Sequence, residues 1–139
     1  MSQLGSLLDA GSADASADPD AVEAALACLD RFTAAFNACD TAAMDAELHF
    51  PHSMLAGGEQ HVWSGPGRHP QDSFAALKAS GWASTRYERR EPVLVTRDKV
   101  HFVVTYTRRK ADGTVLSEHR NLWVVMRVAE KWGIVWRSY

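Results

Sequence analysis

The stretch that most constrains this chain is its final third, Pro92 to Tyr139, which reads as four consecutive β-strands. The runs Pro92–Thr96, Lys99–Arg109, Thr114–Val128 and Lys131–Ser138 are rich in Val, Thr, Trp and Tyr, residues that suit a pleated surface. Arg97-Asp98, Lys110-Ala111-Asp112-Gly113 and Ala129-Glu130 link them. Gly113 supplies the positive φ of a tight turn without a Cβ clash. Antiparallel neighbours need only such short links, so the spacing predicts a meander.

Both faces of that meander read as apolar at mid-strand. Phe102, Val104 and Tyr106 share one face, and Val103 and Thr105 the other. In the next run Leu122, Val124 and Met126 oppose Trp123 and Val125. A sheet with one solvated face alternates apolar with polar residues. Two apolar faces call for two covers: helices on one side and, on the other, a second copy of the chain. A homodimer through the sheet is the expectation.

The 139 residues suffice for one domain with a real core. A net charge of −2 creates no field that draws the chain to nucleic acid or to an acidic membrane. The basic clusters Arg86/Arg89/Arg90 and Arg108/Arg109/Lys110 lack interleaved aromatics and read as solvated strand ends. No apolar run reaches membrane-spanning length, and the first residues lack the pattern of a secretory signal. Cys28 and Cys39, eleven residues apart on what reads as one helix, would lie about 16 Å apart, beyond bridging distance. Both are expected as reduced thiols, and the expected compartment is the cytoplasm.

Before the meander, residues 1–17 read as a loose leader with a helical turn near Leu4–Leu8, and 18–139 as the domain. Asp18-Pro19-Asp20 opens a helix whose apolar face is Val22, Ala25, Leu26, Leu29, Phe32 and Phe36, ending near Ala38. Asp40 caps a short helix from Thr41 to about Leu48. Ser53–Ala56 and Gln60–Trp63 form a hairpin around Gly57-Gly58, and Pro70 starts a third helix stopped by Gly81. Ser84–Glu91 is one more strand. Helices early and strands late make the class α+β.

This order resembles the nuclear-transport-factor-2-like superfamily, which includes SnoaL-like polyketide cyclases and ketosteroid isomerases. Phe32-Thr33-Ala34-Ala35-Phe36-Asn37-Ala38-Cys39-Asp40 is similar to the family helix ending in Asn-x-x-Asp. Lys131-Trp132-Gly133-Ile134-Val135 is similar to its closing Trp-x-Ile strand. The resemblance implies a cone-shaped domain: three N-terminal helices packed on a strongly curved mixed sheet that ends in the antiparallel meander, around a conical pocket. Dimers through the sheet are frequent in the family. The resemblance does not carry steroid-isomerase chemistry. The family's helix-borne tyrosine position is Phe32, its base-bearing strand matches Met54-Leu55-Ala56, and its second acid falls near Asn121.

Several residues remain as candidates for chemistry. His52, on the parity of Met54 and Ala56, stands as a pocket base or as a histidine bonded to backbone, with Asn121 as a possible polariser. The pocket lining expected is Phe32, Phe36, His49, Met54, Trp63, Trp82, Tyr106, Trp123 and Trp136. Glu118, His119 and Arg120 form either a sheet-edge network or a carboxylate site. His49 and His52 diverge on an extended strand, so no metal is expected, and no phosphate loop implies a nucleotide cofactor. Two functions follow. One is a small-molecule-binding domain for an apolar ligand bearing a carboxylate or carbonyl. The other is a cofactor-free cyclase, isomerase or dehydratase using a pocket histidine as general base.

Overall fold

The computed structural model describes residues 18–139; the expected leader and its turn near Leu4–Leu8 lie outside the described residues. Helix α1 spans Pro19–Asn37, α2 Thr41–Ala46 and α3 Ser73–Ala79. Strand β1 spans Leu48–Ala56 and β2 Glu59–Trp63. They are followed by β3 Ser84–Thr96, β4 Lys99–Arg109, β5 Val115–Val128 and β6 Lys131–Ser138. The six strands form one mixed sheet in the order β2-β1-β6-β5-β4-β3. Only β1 and β6 pair in parallel; every other pair is antiparallel.

Local chemistry explains the helix starts. The Asp18 carboxylate accepts from the Ala21 N–H at 3.0 Å, with Pro19 in the first helical turn. Asp40 accepts from the Ala43 N–H at 3.0 Å in the same way. Helix α1 ends two residues short of Cys39. Cys39 lies beyond its cap at φ 54°, so the two thiols do not share a helix.

Some boundaries differ from the sequence reading. Pro92 does not begin a strand but sits inside β3, which lies at the sheet edge, where a missing N–H is tolerated. β1 begins at Leu48 rather than Ser53, because the backbone there already pairs with β6. Helix α3 begins at Ser73 rather than Pro70, and α2 stops at Ala46.

Register sorts the sheet into two faces. Val100, Phe102, Val104 and Tyr106 of β4 pair with Val125, Trp123, Asn121 and His119 of β5, and this face lies under α1. Ala25, Cys28, Leu29 and Phe32 of α1 are buried against it. Each fully buried Leu or Phe there contributes about 1.5–3 kcal/mol. Helix α3 joins this core through Phe74, whose ring meets Phe36 at 5.1 Å and Trp82 at 6.0 Å.

Register shifts interrupt β1, β3, the β4–β5 pair and the β5–β6 pair. Such irregularities bend the strand and increase its twist. The shift between Val125↔Ile134 and Val124↔Trp136 has a further effect. Ile134 faces α1 with Val125, whereas Trp136 joins Val124 on the opposite face and Arg137 turns inward opposite Trp123. Val103, Leu122, Met126 and Trp136 remain half-buried on that opposite face.

Candidate functional site

A cavity of about 70 Å³ opens between the C-terminal half of α1 and the end of the sheet where β3 starts and β4 and β6 finish. Its apolar walls are the rings of Phe32 and Phe36 from α1, Tyr87 from β3, Tyr106 from β4, Trp123 from β5, and Tyr139. Its polar lining is Thr33, Thr85, Arg108 and Arg137. The walls are mutually braced. Phe32 meets Trp123 edge-on at 5.7 Å, and Tyr87 and Tyr106 each lie 6.2 Å from the same indole.

The charge at this site is Arg137, only 6% exposed. Its Nε donates to His52 Nε2 at 2.9 Å and its Nη2 to the Met54 thioether at 3.4 Å. Its guanidinium carbon lies 5.3 Å from the Phe32 ring, 5.8 Å from Trp123 and 5.8 Å from Tyr139. Among the described residues it forms no ion pair with a carboxylate. Asp45, whose charge is felt at His52, is committed elsewhere: His69 Nε2 lies 2.9 Å from one oxygen and the Gly67 N–H donates to the other. Two further donors of the lining are buried without a partner, Arg108 Nε and Trp123 Nε1. Tyr106 adds a hydroxyl that accepts from Asn121 Nδ2 at 3.0 Å and is left free to donate. Burial raises its pKa, so it keeps its proton. Among the described residues the lining therefore carries two guanidiniums and no side-chain carboxylate.

The structure brings Phe32, Phe36, Tyr106 and Trp123 together at the cavity, four of the residues expected there. It places the others elsewhere. His52 is on the interior side, as its parity with Met54 requires, but it does not face the cavity. It is fully buried, with Nδ1 against the Ile134 carbonyl at 3.0 Å and Nε2 accepting from Arg137. Those partners fix the neutral tautomer with the proton on Nδ1. Burial, reinforced by the adjacent Arg137 charge, lowers its pKa to about 4. The imidazole thus has no free lone pair for a ligand proton, which corrects the expectation of a pocket base. Met54 meets Arg137 from behind the cavity.

Asn121 sits behind Tyr106 rather than in the lining. His49 lies outside, its Nε2 2.7 Å from the Lys131 carbonyl and its ring over Gly133. Trp63 packs edge-on against His69 at 4.9 Å, and Trp82 donates its Nε1 to Thr85 while meeting Phe36 edge-on at 5.5 Å. Trp136 faces the other side of the sheet. Glu118 and Arg120 share that side, while His119 stacks on Tyr106 at 5.0 Å, so the three form no cluster. Among the described residues no group of three or more His, Cys, Asp or Glu is arranged to hold a metal ion.

Sequence reasoning missed Arg137 and Arg108. Arg108 was grouped with solvated strand ends, yet its pairing with Thr85 beside the inward Tyr106 brings it to the cavity rim. The only signal for Arg137 is a charge directly after the apolar run Ile134-Val135-Trp136 of the closing strand.

No protein-family model matches the chain. No curated protein matches it either. Solved structures do. A protein of unknown function with a cystatin-like fold from Nostoc punctiforme superposes with a TM-score of 0.70 at 12% identity, over 88% of this chain and 92% of that one. A nuclear-transport-factor-2-like protein from Novosphingobium aromaticivorans gives 0.60 at 18% identity, over 86% and 80%. A protein named as a candidate ketosteroid isomerase from Shewanella frigidimarina gives 0.58 at 14%, over 83% and 93%. The chain has the α+β, cystatin-like fold of nuclear-transport-factor-2-like proteins.

Proposed function

We propose that residues 18–139 form one small-molecule-binding domain whose ligand occupies the cavity between α1 and the inward face of the sheet. The observation that carries this reading is a ring-walled cavity lined by Arg108 and Trp123, each of which carries a side-chain N–H, Arg108 Nε and Trp123 Nε1, buried without a partner among the described residues. Buried polar groups are normally satisfied, and a bound molecule would satisfy these. The ligand is small and largely apolar, with a carbonyl or carboxylate end. At about 70 Å³ the cavity is well below the roughly 300–1,000 Å³ of drug-sized sites, so one ring or a short branched chain is the upper limit. Spectra of ¹⁵N-labelled protein, titrated with small ring and branched-chain probes, test the reading. The Trp123 indole N–H should shift; if no probe moves it, the cavity is not a binding site.

A second reading, a cofactor-free cyclase, isomerase or dehydratase, draws support from Tyr106. Asn121 orients its hydroxyl on the cavity wall, where it would polarise a ligand carbonyl. The base of such an enzyme would not be His52. Turnover of a bound carbonyl compound that is lost in Tyr106→Phe would favour this reading over simple binding.

A homodimer through the outward face is part of the proposal, supported by the half-buried Val103, Leu122, Met126 and Trp136 there. Light scattering at micromolar concentration tests it. No described helix is long and apolar enough to cross a membrane. A cytoplasmic location is proposed with it, in keeping with two unpaired cysteines.

A further inference from the structure

We infer that the cavity selects a small monocarboxylate anion, whose charge is the missing counter-ion of Arg137. This deepens the binding reading above and rests on it. A guanidinium only 6% exposed, with an imidazole and a thioether as its hydrogen-bond acceptors, is a buried charge without an opposite charge among the described residues. Ring faces offset part of that cost, but a carboxylate offsets it fully and matches the planar fork with two parallel bonds.

The rest of the lining points the same way. Arg108 Nε–H and Trp123 Nε1–H are orphaned donors, and the Tyr106 hydroxyl has its acceptor lone pair occupied by Asn121. Apart from the hydroxyls of Thr33 and Thr85, the groups offered to a ligand are therefore donors, and they carry a net positive charge. A neutral amide would have only the threonine hydroxyls to take its N–H groups and would bring no charge to the guanidiniums. Inorganic phosphate is more strongly hydrated and has no apolar part to set against the rings of Phe32, Phe36 and Tyr139. A carboxylate on a single ring or a branched chain meets both halves of the lining.

His52 and Met54 act as positioning residues. They hold the Arg137 fork from behind and leave its remaining donors for the ligand. Because His52 is already neutral and its Nε2 already accepts, its imidazole adds no second positive charge to compete for the anion.

The experiment titrates the full chain, ¹⁵N-labelled, with benzoate and isobutyrate against the shape-matched benzamide and isobutyramide, reading the Trp123 indole N–H. The acids are expected to bind about tenfold or more tightly than their amides, the range of a charge-assisted hydrogen bond. Arg137→Gln should erase that preference. If Arg137→Gln does not fold, Arg108→Gln, at the cavity rim, should reduce the preference without erasing it; an undiminished preference there overturns the anion proposal. Equal binding of acids and amides overturns the anion proposal and leaves the cavity reading standing. Displacement of benzoate by inorganic phosphate at equal concentration overturns the carboxylate class. Failure of all four probes to shift the indole overturns both readings together.

Discussion

Arg137 Nε donates to His52 Nε2 at 2.9 Å, and the other nitrogen of that imidazole meets the Ile134 carbonyl, three residues before Arg137 on the same strand. His52 thereby clamps β6 across its parallel pairing with β1 and aims the guanidinium at the cavity. A charge near an aromatic wall is turned into a fixed donor by a neutral histidine behind it.

His52→Leu should remove both bonds while keeping the side-chain volume close. It would leave the Arg137 Nε–H and the Ile134 carbonyl unpaired in a buried place. A stability loss of about 2–4 kcal/mol in urea unfolding is expected. A loss under about 0.5 kcal/mol, the scale of an ordinary surface change, would show that the clamp carries nothing.

The same histidine sets a pH dependence. Its folded pKa, about 4, lies below the unfolded value near 6.5, because burial and the Arg137 charge disfavour the cation. Between those values the unfolded chain binds the extra proton, so this contribution to stability is complete above pH 6.5 and is lost as pH falls toward 4. The slope from one such group is at most about 1.4 kcal/mol per pH unit. His69, His101 and His119, also lowered by burial, act in the same direction, while Asp45 works against the shift at His52. His52→Gln should flatten the pH 4–6.5 limb of the stability curve; an unchanged limb would assign it to the other three histidines.

Gly133 lies beneath the His49 ring, where an added Cβ would sit 2.8 Å from the ring's Cδ2. Gly133→Ala should therefore cost about 1–3 kcal/mol by forcing the ring away from the Lys131 carbonyl. In a double-mutant cycle with His49→Ala, most of that cost should disappear. Additive losses would mean that the crowding is relieved elsewhere.

Burial pushes the Cys28 thiol up to about 12, the nearby Glu47 adds to the shift, and the Sγ–H donates to the Glu47 carbonyl. Since the thiolate is the reacting form, a disulfide reagent at neutral pH should leave Cys28 unmodified in the folded protein and label it in denaturant. Mass spectrometry of the labelled native protein checks this. Labelling of Cys28 as fast as of the half-exposed Cys39 would show that α1 opens readily.

Residue pattern alone determined the class: early helices followed by a closing meander. Helical spacing from Val22 to Phe36, the capping aspartates Asp18 and Asp40, and the β-rich runs after Pro92 each act within a few residues. Such signals survive without knowledge of the partners they pack against. The ring wall was also legible in part, because Phe32, Phe36, Tyr106 and Trp123 lie on regular stretches where helical or alternating parity holds.

The tertiary structure alone decided the polar half of the site. One register shift in the β5–β6 pair moves Trp136 to the outer face and Arg137 inward, and in a strand a single residue of slip exchanges the two faces. Parity counted along the sequence cannot register that shift. Nor does sequence reveal that Arg137 would take the Nε2 lone pair of His52, since the two are 85 residues apart. Their meeting depends on β6 closing the sheet in parallel beside β1, and that pairing turns a candidate base into the support of a cation.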